Sequence, residues 1–327
     1  MPYGEGEYFT GEPSKFAMHS NCCRIKISYS DVKIHSIIQL IGIDFVEEKE
    51  IVVWDFEIPT MKKCYVDLSI EYIDGYCYKT KPLTWREYYA DNYNNRKKAK
   101  ENKDYFNIMY YKLLNNASYG KLLEKPHNQI FKNIINEEGI ITSEIVDKPI
   151  EEQEIGAKYT YLPVGSSIPA RTRVRLVETA LLFGYENVCY FDTDSIFIVI
   201  NENTMNIWDS INQKDFLGGW GLEEIIDRSQ YTAPKRYKTE KDGITTIKAG
   251  GINFTDFVNK KAKENNIDVD KYIISFDEIN ITNSVWEVQR AYRVKGGTLI
   301  EFQTKTMSIQ KKYESIYKNN VEDIDDI

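Results

Sequence analysis

Two apolar runs, Val188-Cys189-Tyr190-Phe191 and Ile196-Phe197-Ile198-Val199-Ile200, enclose the polar residues Asp192-Thr193-Asp194-Ser195. Branched and aromatic residues on both sides of so short a break predict two strands joined by a tight turn. A lone pair of strands is barely stable in water, so such a unit has to be built into a larger packed structure. Its tip carries two carboxylates at i and i+2, which repel one another unless a cation lies between them. Hard oxygen donors on a stiff tip suit Mg²⁺, which keeps waters and takes further ligands from a substrate phosphate. Taken alone, Asp-Thr-Asp is equally an ordinary polar turn.

A second feature narrows the choice. From Thr84 to about Leu123 the pattern turns helical, with Thr84 as N-cap and Glu87 three residues on, a capping-box spacing. An interruption near Asn92–Asn95 predicts two helices packed antiparallel. On the second, Lys112, Asn116 and Tyr119 fall at i, i+4 and i+7 and share one face. A lysine, an amide and an aromatic ring on one stripe suit, in turn, a triphosphate, a sugar or base edge, and a deoxyribose ring, and Gly120 admits close approach. Arg96, Lys97, Lys98, Lys100 and Lys103 add charge, so residues 96–125 hold eight Lys or Arg against three Asp or Glu. That local +5 stands out in a chain with a net charge of −8. A basic run of this kind is also what a solvated helix face looks like.

Residues 1–80 are strand-rich: Arg24–Tyr29 alternates, Ile51–Trp54 and Tyr65–Ile70 are further strands, and Asp74-Gly75 signals a hairpin turn. Residues 124–158, with Gly139 and Pro149, predict loops and a hairpin. Arg171–Leu182 reads as a helix, 202–228 as helix and loop, 231–252 as strand and turn. A charged helix over Asn259–Asn265 and strands near Thr298–Thr306 close the chain. This is an α+β pattern of mixed strands and helices.

Composition excludes several classes. An acidic balance, 42 Lys and Arg against 50 Asp and Glu, is not that of a bulk polycation, though a groove needs only local positive charge. No apolar run approaches the ~18 residues of a membrane span, and the Met1-Pro2-Tyr3-Gly4-Glu5 start lacks signal-peptide character, so a cytoplasmic location and no membrane partner are expected. Five cysteines at irregular spacings match no zinc pattern and predict reduced thiols. His19, His35 and His127 form no metalloprotease or histidine-triad motif.

Lys112…Asn116-Ala117-Ser118-Tyr119-Gly120 resembles motif B of the family B DNA polymerases, and Tyr190-Phe191-Asp192-Thr193-Asp194-Ser195 resembles their motif C. Pro234-Lys235-Arg236-Tyr237 is similar to their K-x-Y motif, and Lys248-Ala249-Gly250-Gly251 to the segment after it. Pro2-Tyr3-Gly4-Glu5, Leu217-Gly218-Gly219-Trp220 and Val294-Lys295-Gly296-Gly297 extend the likeness to the protein-primed polymerases of phages and linear plasmids. The resemblance implies a palm of antiparallel sheet and helices, helical fingers and a small thumb, and the exonuclease domain that precedes motif A in that family is not expected in this chain. It divides the chain into a palm remnant with a first terminal-protein-like region (1–80), fingers (81–123), a second such region (124–158), the DTDS palm (159–252) and a thumb (253–327).

The resemblance also implies residue roles. Asp194 would be a direct ligand to two Mg²⁺ ions, or Mn²⁺ in their place, with Asp192 a supporting one. Lys112, with Arg96 or Lys100, would meet the triphosphate; Tyr119 would stack on the sugar, and Asn116 and Gly120 would line the nascent pair. Lys235, Tyr237 and Lys248 would contact primer DNA. Arg173 resembles a template-side arginine, with packing of its helix onto the sheet as the other reading. The partners implied are primer–template DNA, a deoxynucleoside triphosphate and a terminal-protein primer.

The chain departs from the pattern at two places. Ala117 stands where motif B has Ser. Motif A, D-x-x-S-L-Y-P, is not found in the chain, so an upstream fragment carrying it and the exonuclease is expected as a partner. Two readings of other classes stay open: a non-catalytic DNA- or primer-protein-binding module, and a metal-dependent phosphohydrolase.

Overall fold

The computed structural model describes residues 1–14, 18–32, 46–82, 85–124, 129–135, 141–152, 160–213, 216–249, 255–268, 272, 275–277, 285–293, 300–308 and 315–318. The chain forms two compact units, Met1–Leu181 and Leu182–Ile327. Thr84, Gly139, Gly250-Gly251 and Val294–Gly297, all singled out above, lie outside the described residues.

The first unit contains strands β1 (Pro2–Thr10), β2 (His19–Tyr29), β3 (Asp31–Val32), β4 (Val46–Trp54), β5 (Tyr65–Val66), β6 (Ser69–Thr80), β7 (Gln129–Ile135) and β8 (Ile141–Asp147). Its helices are α1 (Ile58–Cys64), α2 (Arg86–Glu101), α3 (Tyr105–Leu122) and α4 (Leu162–Phe183), whose last residues pass the division. An antiparallel sheet in the order β1-β6-β2-β4 is its centre. Period-2 alternation along β2 buries Cys23, Ile25, Ile27 and Tyr29 and exposes Arg24, as the sequence pattern predicts. Met61, Cys64 and Tyr65 fill the same core, with the Tyr29 and Tyr65 rings 4.5 Å apart.

Two expectations in this unit need correction. Asp74-Gly75 does not turn a hairpin; it lies inside β6, one strand of 12 residues with a register shift beside it. Gly75 is there for space: a Cβ would lie 2.3 Å from the Cys22 carbonyl oxygen and 2.6 Å from Phe9. The expected Tyr65–Ile70 strand is split into β5 and β6 at Asp67, whose φ is +51°.

The helix pair forms, but its break is displaced. α2 runs unbroken through Asn92–Asn95, because Asn92 is buried and donates to Asn115 Oδ1 at 3.0 Å. Tyr89 and Ser118 hydroxyls meet at 2.8 Å, so residue numbers fall on one helix as they rise on the other, and the pair is antiparallel. The chain reverses at Lys103, φ +54°, and Asp104 caps α3 by accepting from the Asn107 N–H at 3.1 Å. α4 begins at Leu162, well before the expected Arg171, and carries Pro169 within it. Burial of Ala170, Leu176, Val177, Ala180 and Phe183 along α4 offsets the hydrogen bond that proline removes.

The second unit holds strands β9 (Val188–Asp192), β10 (Ser195–Ile198), β11 (Arg228–Ala233), β12 (Arg236–Lys241), β13 (Ile244–Ala249), β14 (Val285–Arg293), β15 (Ile300–Ser308) and β16 (Ser315–Lys318). Helices α5 (Glu202–Ile211) and α6 (Thr255–Glu264) accompany them, α6 starting earlier than the expected Asn259. A four-stranded antiparallel sheet runs β13-β12-β11-β16, and β9/β10 and β14/β15 are hairpins. The fold class is α+β, antiparallel sheets with helices. Among the described residues no helix is long and apolar enough to cross a membrane.

Candidate functional site

The DTDS segment is a hairpin tip. Asp192 pairs with Ser195 across β9/β10, leaving Thr193-Asp194 as the connecting residues. Thr193 adopts φ +61°, and the Asp194 N–H and the Ser195 hydroxyl both donate to the Asp192 carbonyl, at 2.7 and 3.0 Å. The two acids, expected to converge on one side of the tip, have different surroundings. Asp194 is exposed, and its carboxylate has no hydrogen bond or ion pair among the described residues. Asp192 is 16% exposed and heavily engaged.

Its partners come mostly from the neighbouring β11/β12 turn. The Lys235 ammonium pairs with Asp192 Oδ1 and donates to Thr193 Oγ1 at 2.6 Å. The Tyr237 hydroxyl donates to Asp192 Oδ2 at 2.9 Å. Partial burial works against the Asp192 charge, but the Lys235 and Tyr237 contacts outweigh it and hold the carboxyl below the usual carboxylate range. Burial, then the bond to Asp192, push the Tyr237 phenol up, so it remains a proton donor. Lys248 lies directly across from Tyr237 on β13 and is exposed.

Beneath this lies a cluster the sequence reading missed. The rings of Tyr190, Phe197, Tyr231 and Tyr237 all contact one another, at 4.9 to 5.9 Å between centroids. The Tyr190 hydroxyl accepts the Lys235 backbone N–H at 2.6 Å. One signal was available: Tyr190 and Asp192 stand two apart on β9 and so share a face.

In the first unit, α3 presents Lys112, Asn116 and Gly120 at the surface, and a Cβ on Gly120 would meet nothing within 4 Å. Tyr119, with Trp85, Tyr89, Leu122, Ile168 and Arg175, lines a cavity of ≈ 430 Å³, within the size range of small-ligand sites. On α2, Lys100 is exposed, whereas Arg96 is partly buried with its Nε unpartnered among the described residues. Arg173 reaches Glu57 Oε1 at 2.7 Å, and Glu57 also accepts the Trp54 N–H at 2.9 Å, so this arginine fastens α4 to the turn before α1.

Could the residues present hold a divalent cation? The donors are of the right chemistry, hard carboxylate oxygens, but among the described residues no group of three His, Cys, Asp or Glu comes together. Asp192 and Asp194 therefore fit as part of a ligand set. None of the five cysteines is in a disulfide, and burial pushes Cys22 up to about 11 and Cys23 to about 12, which leaves neither nucleophilic at neutral pH.

Comparison with known proteins gives four findings. The family described as DNA polymerase type B, organellar and viral, matches residues 1–163. A DNA polymerase of Bacillus phage B103 is 25% identical over 276 residues, covering 78% of this chain and 43% of its own. The chain thus spans less than half of that relative's length. Phi29 DNA polymerase, solved with primer-template DNA and incoming nucleotide, superposes with TM-score 0.71 at 20% identity over 95% of this chain and 55% of that one. The same enzyme in a post-translocation complex with primer-template DNA gives 0.72 at 20% identity, covering 95% and 54%.

Proposed function

We propose that the chain is a family B DNA polymerase of the organellar and viral, protein-primed type and carries the nucleotidyl-transfer half of such an enzyme. The reaction would be attack of a primer hydroxyl on the α-phosphate of a deoxynucleoside triphosphate, with pyrophosphate leaving. The observation that carries this reading is the DTDS tip, with one acid exposed and the other anchored. Asp194 would be the main metal ligand and Asp192 the supporting one. Two Mg²⁺ ions, or Mn²⁺, held there would supply charge stabilisation for the attacking and leaving oxygens.

The other residues have roles that follow from their placement. Lys112 and Lys100, exposed on α3 and α2, would neutralise the triphosphate, with Arg96 supporting. Tyr119 would offer its ring to the sugar at the edge of its cavity, beside Asn116 and Gly120. Lys248 faces solvent, where a primer phosphate could be met, and the exposed Lys235 ammonium, with two of its three protons given to Asp192 and Thr193, keeps one for such a phosphate. A further acid is required, and we place it on a segment outside this chain, an upstream fragment with a D-x-x-S-L-Y-P motif. The terminal-protein primer and a location in the host cytoplasm belong to the same proposal.

One observation favours the binding-module reading: the Asp192 charge is already met by Lys235. Primer–template affinity measured with Mg²⁺ and each of the four nucleotides separates the two. A polymerase site binds DNA more tightly with the nucleotide that pairs with the template, and a pure binder is indifferent to it. Equal affinity with all four nucleotides would reject the proposal.

A further inference from the structure

We propose that Tyr237 is a positioning residue that acts through Asp192, not a contact to the DNA strand. This rests on the reading of the DTDS tip as a metal site. Tyr237 is 7% exposed, with its ring enclosed by Tyr190, Phe197 and Tyr231. A phenol has one proton to donate, and here it goes to Asp192 Oδ2 at 2.9 Å. A phosphate oxygen needs a donor, so the hydroxyl cannot serve a primer phosphate while it holds the acid.

The opposite side of the carboxylate is closed as well. Lys235 and the Thr193 hydroxyl, at 3.2 Å, both donate to Asp192 Oδ1. A carboxylate has about four acceptor sites, so three donors leave about one for a cation. Asp192 is thereby fixed as a single-site ligand in one orientation, while Asp194 keeps all of its sites. Lys235 itself is held at φ +59°, a costly conformation for a residue with a side chain, and the Tyr190 hydroxyl bonded to its N–H secures it. The aromatic cluster thus anchors both hairpins while two of its hydroxyls, Tyr190 and Tyr237, set the acid and its counter-charge.

The test is Mn²⁺ binding to the full chain, followed by the electron paramagnetic resonance of free Mn²⁺. Tyr237→Phe keeps the ring and removes only the hydroxyl. It should weaken Mn²⁺ roughly tenfold, the loss typical when a ligand's hydrogen-bond partner is removed. Asp192→Ala should weaken it at least as much, and the double variant no further, since both changes disable the same ligand. Glu57→Ala, which touches neither Asp192 nor any of its partners, should lower the melting temperature and leave Mn²⁺ affinity close to wild type. Asp194-dependent binding that Tyr237→Phe does not change would overturn the inference alone. Binding indifferent to Asp194→Ala would sink the reading of the site and the inference with it.

Discussion

Glu57 shows how much a single buried carboxylate can hold. It is 3% exposed and satisfies the Trp54 N–H and the Arg173 guanidinium together. Glu57→Ala leaves that N–H without its acceptor and should cost about 2 kcal/mol, read as a lower urea midpoint. Arg173→Gln carries a sharper prediction. If its place is the Glu57 contact, stability falls and DNA affinity holds; loss of DNA affinity at unchanged stability would restore the template role. Arg173 also marks a limit of sequence reading. Its two roles could not be separated until Glu57, more than a hundred positions away, was seen at its guanidinium.

Among the elements, the α2–α3 pair was legible in outline and misread in detail. Charge, period and the Lys112–Asn116–Tyr119 spacing are local features, and α3 runs unbroken through all three residues. Asparagine favours turns, so Asn92–Asn95 reads as a break along the sequence, whereas Asn92 turns inward to Asn115. A double-mutant cycle of Asn92→Ala and Asn115→Ala should give a coupling of about 1 kcal/mol. Additive losses would mean the two amides do not act as a pair. Strand β6 was misread for a similar reason: Gly75 spoke of a turn, but its purpose is close approach to β2. Gly75→Ala should destabilise by about 2 kcal/mol, the cost of overpacking against a backbone oxygen that cannot move aside. The four-ring cluster was beyond reach because its members come from strands some forty residues apart, and no periodicity links them.

For the whole molecule, acid stability follows from its carboxylates. Arg24 holds Asp74 below its ordinary 3.8, the Asn107 N–H does so for Asp104, and Arg228 for Asp277. For Glu178, burial is outweighed by Lys63 and Thr60, and it lies below 4.5. Groups whose folded pKa is depressed contribute fully above their ordinary values and lose that contribution as pH falls through the folded ones. The melting temperature should therefore be level from neutrality to about pH 5 and fall below about pH 4. A fall beginning near pH 6.5 would instead point to a histidine.

At this scale the central claim is that the DTDS tip performs templated nucleotide addition once a further acid is supplied. The most direct measurement is extension of a labelled primer by this chain mixed with an upstream segment bearing D-x-x-S-L-Y-P. Each part alone should extend slowly or not at all, the mixture should copy the template, and Asp194→Ala should silence it. Extension that persists with Asp194→Ala, or vigorous synthesis by this chain with no second segment, would contradict the account.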